Sequence, residues 1–289
     1  MGVELGVLQD PSELHLLSHR VSELLTRRLV SAALAEREIH VPQAVHLLAN
    51  LDKALNAFSS NLREWYGVHF PELGRLVADH ETYAKLVAHL GERANFVEER
   101  LRELDIPAEG AGEISSSARS SLGGPLQDID LDSLEELARN LLALYEYRRR
   151  LEGYLSSLME EVAPNLSRVA GPMLAAKLVE RAGGLRRLAM MPSSKIQLLG
   201  AEKAMFRALK RGARMPKHGL IFQHPHIHRT PRALRGKAAR LLASKLAIAA
   251  RADALTGARI GDRLREELEE ELRSLRETPS PRRGSNRPS

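Results

Sequence analysis

The chain has 289 residues, 43% hydrophobic but only 4% aromatic, so a buried core must consist mainly of Leu, Ala and Val. It contains no cysteine, which excludes disulfides and cysteine-based zinc sites, and no apolar run reaches the roughly 18 residues of a membrane span. The abundance of Leu, Ala, Arg and Glu predicts an all-α fold. The lack of cysteine and of a signal-peptide pattern favours a cytoplasmic location.

The net charge of +6 is unevenly distributed along the chain. Residues 195–251 hold 14 Lys and Arg residues but one carboxylate, Glu202, and so carry +13. The remainder has 29 basic and 36 acidic residues, a net charge of −7. A basic block in an otherwise acidic chain indicates a polyanion-binding surface. The alternative is a solvated cationic face that binds nothing.

The N-terminal region is predicted to be helical. Asp10 as a cap and Pro11 in the first turn predict a helix to about Glu38, broken at Val41-Pro42. The apolar residues of a second helix recur at alternating steps of three and four, at Leu48, Leu51, Leu55, Phe58, Leu62 and Trp65. This heptad spacing predicts a coiled coil.

The same rhythm returns beyond Pro71, where the chain is predicted to kink. Its positions are Leu73, Leu76, His80, Tyr83, Val87, Leu90, Ala94, Val97, Leu101 and Leu104. We therefore expect a long coiled-coil helix up to residue 104. Residues 105–128 are rich in Gly, Ser and Pro and are predicted to form a mobile loop.

A third long helix is predicted to begin near Asp132, a candidate cap with Glu135 three residues further on. Its hydrophobic seam, interrupted only by Arg148, comprises Leu134, Leu137, Leu141, Leu144, Leu151, Leu155, Leu158 and Val162. Two heptad helices joined by one loop predict an antiparallel hairpin, which holds other parts of an assembly apart or pairs with a second copy. We assign these leucines to a coiled-coil and dimer seam.

Shorter helical stretches separated by Gly and Pro follow from Asn165, and they predict a compact helical domain. The sequence thus divides into a helical N-terminal region (1–45), a coiled-coil hairpin (46–164), a helical domain (165–276) and a basic tail (277–289) that is predicted to be disordered.

The stretch "FQHPHIHR" places His224, His226 and His228 at alternate positions. Three imidazoles on one face of an extended chain are compatible with a zinc site, and hence with a metal-dependent nucleic-acid enzyme. Against a metal, Lys217 and Arg229 crowd the same segment, and no carboxylate is nearby in sequence to orient the imidazoles. A structural loop and an RNA-facing loop are the other interpretations.

Longer stretches carry a resemblance to a known family. "SKIQLLGAEKAMFRALKRGARMPKHGLIFQHP" and "LRGKAARLLASKLAIAARADALTG" closely resemble the Nop domain, whereas "NLREWYGVHFPEL" and "LYEYRRRLEGYLSSLMEEVAPNLSRVAG" resemble the coiled-coil segments that precede it. Over roughly residues 40–276 the chain is similar to the archaeal Nop scaffold proteins of box C/D small ribonucleoproteins. These are related to the nucleolar Nop proteins and to a spliceosomal factor.

The resemblance implies a scaffold without catalytic residues, cofactor or metal. Such proteins self-associate through the coiled coil and grip a guide-RNA kink-turn that already carries a small ribosomal-protein-like binder. They also hold fibrillarin, the methyltransferase that modifies RNA 2′-hydroxyls. Fibrillarin binding by this chain is left open, because only about 45 residues precede the hairpin where the family has a strand-containing region. A spliceosome-like assembly factor is the alternative within the family.

The resemblance also places the "IFQHP" loop against the kink-turn, so Gln223 and His224 are candidates to contact bases or backbone. Phosphate contacts are expected from the helix face that carries Lys203, Arg207, Lys210 and Arg214, and from Lys217, Arg232, Arg235, Lys237 and Arg240. The helix start at Gly200, Ala201 and Glu202 is a candidate anion site. The alternative is that Gly200 and Ala201 are small packing residues and that Glu202 caps the helix.

Overall fold

The computed structural model describes residues 11–34, 36–212 and 215–277, and every regular element within these ranges is helical. The predicted all-α fold is therefore confirmed. None of the described helices combines the length and the apolarity needed to cross a bilayer. The contacts divide the chain into two compact units, one formed by Ala44–Ser157 and the other by the chain on either side of it. The predicted disorder of residues 278–289 lies outside the described residues.

Helix α1 spans Pro11–Leu34 and ends before the predicted Glu38, while its expected cap, Asp10, lies outside the described residues. Helix α2 spans His40–Tyr66 and therefore includes Val41 and Pro42. The predicted break at this dipeptide is wrong, because proline is tolerated in the first turn of a helix, where its missing N–H has no intrahelical partner to lose.

The unit formed by residues 44–157 is built on α2 and a long helix, α7, at Asp128–Val162. Arg148 donates to Asp52 at 2.6 Å, and the hydroxyls of Ser59 and Tyr145 lie 3.3 Å apart. Because position 52 faces 148 and position 59 faces 145, the two helices run antiparallel. Helix α7 begins before Asp132, so the capping role predicted for that residue is wrong.

The seam predicted for α2 is only partly buried. Leu55 and Leu62 are 3% and 1% exposed, but Phe58 and Trp65 are each 45% exposed. Ser59 and Tyr66 are buried in their place. Both spacings fit a helical repeat of 3.6 residues, so step size alone does not decide which of two neighbouring positions faces the core.

The long heptad helix predicted for residues 73–104 is wrong. This stretch forms the short helices α3 at Leu73–Leu76, α4 at His80–Leu90 and α5 at Glu98–Glu103. Asp79 starts α4 anew by accepting the Thr82 N–H at 2.7 Å, and Gly91, at φ 55°, ends it. Apolar residues at heptad spacing thus serve a small globular core, not a continuous seam.

The mobile loop predicted for residues 105–128 is also wrong, because helix α6 occupies Ala108–Arg119. Ala111 is fully buried and Ile114 is 3% exposed in the core of this unit. Packing of this apolar face outweighs the low helix propensity of the Gly and Ser residues around it.

The second unit contains the remaining helices. They are α8 at Pro164–Ala170, α9 at Pro172–Ala182, α10 at Leu185–Ala189, α11 at Ser193–Leu198, α12 at Glu202–Arg211, α13 at Pro225–His228, α14 at Arg235–Arg251 and α15 at Gly261–Glu277, with a 3-10 turn at Leu220–Gln223 and a π turn at Ala252–Thr256. Helix α14 is the centre of this unit, since it contacts α8, α10, α11, α13 and α15. Its alanines, Leu242 and Leu246 are buried, whereas Lys237, Arg240 and Arg251 are exposed.

Candidate nucleic-acid interface

Helix α12 presents a basic face. It is anchored by Ala208, which is 4% exposed, whereas Lys203, Arg207 and Lys210 are exposed and pair with no carboxylate among the described residues. Arg214, the fourth predicted member of this face, lies outside the described residues. Phe206 is 58% exposed beside these cations, so the helix offers both positive charge and a flat apolar ring.

The N-terminus of α12 already carries a negative charge. Glu202 accepts the Gly200 N–H at 2.9 Å and pairs with Arg181 at 2.8 Å. The hydrogen bond from Arg181 lowers the pKa of Glu202 to about 2. A phosphate at Gly200 and Ala201 would have to share this position with a carboxylate, so the capping interpretation of Glu202 describes the observed geometry.

Further cations surround the segment that joins α12 to α14. Lys217 and Arg232 lie on this segment, and Lys237 and Arg240 lie on α14. All four are exposed and pair with no carboxylate in the part of the chain that the structure describes. Their charge is therefore available to an anionic ligand.

Arg235 differs from these four residues. Its Nε donates to the Thr230 carbonyl at 2.8 Å and its Nη2 to the His228 carbonyl at 3.2 Å. Its guanidinium carbon lies 5.3 Å from the centre of the Phe222 ring. The expectation that Arg235 acts simply as a phosphate clamp is too simple, because two of its donor groups hold the loop in place.

The geometry of His224 does not favour the RNA contact predicted for it. This residue is 7% exposed, its Nε2 lies 3.1 Å from the Val169 carbonyl oxygen, and its Nδ1 accepts the His226 N–H at 3.3 Å. Burial, together with His226, lowers the pKa of His224, which favours the neutral ring that this geometry requires. His224 caps α13 and ties it to α8, so it has neither a nitrogen nor an open ring face for a base.

Gln223 is exposed, as the prediction requires, but it has a partner that sequence reasoning missed. Lys177 of α9 donates to its Oε1 at 2.9 Å. No sequence signal links positions 46 residues apart. An RNA group that binds Gln223 would meet the ammonium of Lys177 at the same place.

Two cations of the basic block are structural. Lys245 is 9% exposed and pairs with Glu267 at 2.8 Å and Glu271 at 2.9 Å on α15. Arg251 donates to the Ala189 carbonyl at 3.1 Å. The basic block therefore contributes to the core as well as to the surface.

A buried polar network that sequence reasoning missed holds the frame of this unit. Asp253, in the π turn, accepts the backbone N–H groups of Asn165 and Leu166 at 3.0 and 2.8 Å and the Asn165 side-chain amide at 2.7 Å. The Asn165 side-chain oxygen accepts the N–H groups of Ile260 and Gly261. Burial raises the pKa of Asp253, while these N–H donors act in the opposite direction.

The histidine stretch does not build a metal site. Within the described ranges no group of three His, Asp or Glu side chains is arranged to hold a metal ion. Both ring nitrogens of His224 are used inside the protein, and the stretch forms the short helix α13 in place of an extended strand. The geometry offers no support to the metal-dependent enzyme.

Comparison with known proteins identifies similar sequences. Residues 47–274 match the Nop family, described as "snoRNA binding domain, fibrillarin". An uncharacterized NOP5 family protein of Methanocaldococcus jannaschii is 44% identical over 96% of this chain and 66% of its own length. Nucleolar protein 56 of Bos taurus is 43% identical over 80% of this chain and 40% of its own length. Nucleolar protein 58 of Schizosaccharomyces pombe is 38% identical over 92% of this chain and 53% of its own length.

The chain thus spans between 40% and 66% of the length of these relatives. Among solved structures, it is similar to a chain in a crystal structure of a fibrillarin/Nop5p complex, with a TM-score of 0.52 and 26% identity. That match covers 94% of this chain and 83% of the solved one.

These comparisons correct the expected location. The sequence favoured a cytoplasmic protein, but two of the relatives above are nucleolar proteins by name. The cytoplasmic assignment is therefore wrong. The lack of cysteine does not distinguish among compartments that share a reducing environment.

Proposed function

Because the chain belongs to the Nop family, we propose that it is a non-catalytic scaffold of a box C/D guide ribonucleoprotein. In this proposal it binds a kink-turn RNA that already carries a small kink-turn-binding protein. It self-associates through the paired helices α2 and α7, and it positions fibrillarin for 2′-O-methylation. The NOP5 and nucleolar relatives favour this assignment over the spliceosome-like alternative.

The cationic surface carries the RNA-binding part of the proposal. Lys203, Arg207, Lys210, Lys237 and Arg240 are exposed and unpaired with the described carboxylates. Unpaired surface cations gathered in one unit, without interspersed acidic partners, are expected where a polyanion binds, since each neutralised phosphate releases counterions. A solvated face normally mixes both signs.

Replacing Arg207, Lys210 or Lys237 singly by Ala should weaken RNA binding and lower the salt slope by about one unit each, largely regardless of base sequence. The measurement is a gel shift at several salt concentrations, on kink-turn RNA alone and on RNA that carries the kink-turn binder. Binding should be tighter to the RNA that carries the kink-turn binder, because the RNA alone presents only part of the composite surface that the protein recognises.

Lys53→Ala is the matched control, because Lys53 is also an exposed lysine but lies on α2 in the other unit. It should leave affinity and salt slope unchanged. Equal affinity for RNA with and without the kink-turn binder, or unchanged salt slopes in all three charge variants, would contradict the proposed RNA surface.

The surface proposed for self-association differs from the predicted seam. Leu134, Leu141, Leu155 and Leu158 are at most 1% exposed within a single chain, so a second copy has no access to them. Four aromatic side chains at heptad spacing remain half-exposed instead, namely Phe58 and Trp65 on α2 and Tyr147 and Tyr154 on α7. Exposed aromatics on a paired-helix surface are typical anchors of an interface.

Trp65→Glu is therefore expected to raise the dissociation constant of the self-associated state about 30-fold, as for loss of an aromatic hot spot worth about 2 kcal/mol. Light scattering coupled to size exclusion over a concentration series measures it. Ser60→Glu adds the same charge at an exposed position on the opposite face of α2 and should leave the constant unchanged. Equal dissociation constants for the two variants would mean that Trp65 does not lie in the interface.

Fibrillarin is included as a partner because the solved chain that this chain resembles comes from a fibrillarin/Nop5p complex. Helix α1 is the surface we assign to it. All side chains described from position 14 to 31 are exposed, and Leu14, Leu17, Val21 and Leu25 recur at helical spacing. An amphipathic helix whose apolar stripe is uncovered in the single chain is suited to dock into a protein groove.

A further inference from the structure

A stack of rings lies on the segment between α12 and α14. The His218 imidazole stacks on Phe222, with centroids 4.5 Å apart and planes 10° apart. The Phe222 ring is also contacted by His228, whose centroid is 5.3 Å away at 53°, and by the Arg235 guanidinium at 5.3 Å. The ring of His218 ends this stack, and it is partly exposed.

The backbone holds His218 rigidly. The Lys217 carbonyl accepts the Gln197 side-chain amide at 2.8 Å, and the Gly219 N–H donates to the Gln197 carbonyl at 2.8 Å. The chain passes so close to α11 that a Cβ at Gly219 would lie 2.1 Å from the Leu199 carbonyl oxygen. A ring fixed in this way loses little conformational entropy when another ring is placed on it.

The chemistry around the stack suits one kind of ligand. The segment 215–235 contains several cations and no carboxylate. Burial, with Arg235 and Lys217 nearby, lowers the pKa of His218, which favours a neutral ring. A hydrogen bond to the backbone of His218 itself acts in the opposite direction. A flat neutral ring beside positive charge binds an unpaired nucleobase by stacking and its phosphate by charge.

We propose that the outer face of His218 is a stacking platform for one unpaired base of the bound RNA, with Lys217 neutralising an adjoining phosphate. The inference rests on the proposed function, since it names the part of the RNA that this surface recognises. It assigns to a histidine six positions earlier in the chain the base contact that sequence reasoning gave to the buried His224.

The test uses kink-turn RNAs that carry the kink-turn binder, in which each unpaired base in turn is replaced by 2-aminopurine. The fluorescence of 2-aminopurine is quenched by stacking. Wild-type protein should quench one position. His218→Ala should abolish that quenching and weaken binding ~10-fold, as expected for loss of one base–aromatic stack. His218→Phe should retain both, because it keeps a flat ring and removes the nitrogens.

Two further variants separate stacking from folding and from charge. His218→Leu still fills space over Phe222 but has no planar face, so it should behave like the alanine variant. Lys217→Ala should lower the salt slope and leave the quenching intact. Quenching that survives both His218→Ala and His218→Leu would overturn the inference while leaving RNA binding in place. Failure of the wild-type protein to bind the RNA that carries the kink-turn binder would instead overturn the proposed function.

Discussion

Replacing Leu141 by Lys is expected to destabilise the unit formed by residues 44–157 by about 4 kcal/mol. Leu141 is 1% exposed and belongs to the core that α2 and α7 share with the short helices of this unit. The substitution removes a buried aliphatic side chain and places an ammonium among apolar neighbours, which the lysine stem relieves only in part by reaching toward solvent.

Trp65 makes this prediction measurable, because it is the only tryptophan of the chain and lies in this unit. Its fluorescence in urea reports the unfolding of residues 44–157, whereas far-UV circular dichroism reports the helices of both units. The fluorescence midpoint should fall steeply, and the ellipticity contributed by the other unit should persist to higher urea.

Asn140→Lys is the matched control, since it adds the same charge one residue away at an exposed position of α7. Surface substitutions of this kind usually change the free energy of unfolding by less than about 0.5 kcal/mol. Equal urea midpoints for the two variants would mean that position 141 does not face the core.

The buried face of α7 was predictable from its periodicity. Leu141 and Leu155 recur with the expected spacing and are buried, because a long amphipathic helix has one face to cover. The same rhythm misled over residues 73–104, where capping by Asp79 and the positive φ of Gly91 divide the chain into short helices. Spacing predicts that a stretch has an apolar face to bury, but local hydrogen bonds decide where each helix ends.

The candidate site was predictable where it depends on charge. The exposed positions of Lys203, Arg207 and Lys210 follow from their steps of four and three on one helix face. The orientation of the histidines was not predictable, because a carbonyl 55 residues away and the start of α13 bury His224. Such long-range contacts leave no trace in the sequence of the loop itself.

Asp253→Asn is expected to destabilise the other unit by about 2 kcal/mol, despite the almost unchanged shape of the side chain. Three N–H groups, two from the backbone of Asn165 and Leu166 and one from the Asn165 amide, donate to the two carboxylate oxygens. An asparagine has one oxygen, so its NH₂ group must face at least one of these buried donors. The lost bond also loosens Asn165, which holds the N–H groups of Ile260 and Gly261 at the start of α15.

Thermal unfolding followed by far-UV circular dichroism measures this effect, and a loss of this size should lower the melting temperature of the unit by about 6 °C. Asp262→Asn is the control, because it makes the same chemical change on α15 at a side chain that is 77% exposed. Its ion pair with Arg168 is long, at 3.7 Å. It should cost about 0.5 kcal/mol at most. The transition that Trp65 reports should be unchanged in both variants, since both substitutions lie outside residues 44–157. Equal melting temperatures for Asp253→Asn and Asp262→Asn would mean that this network does not hold α8, the π turn and α15 together.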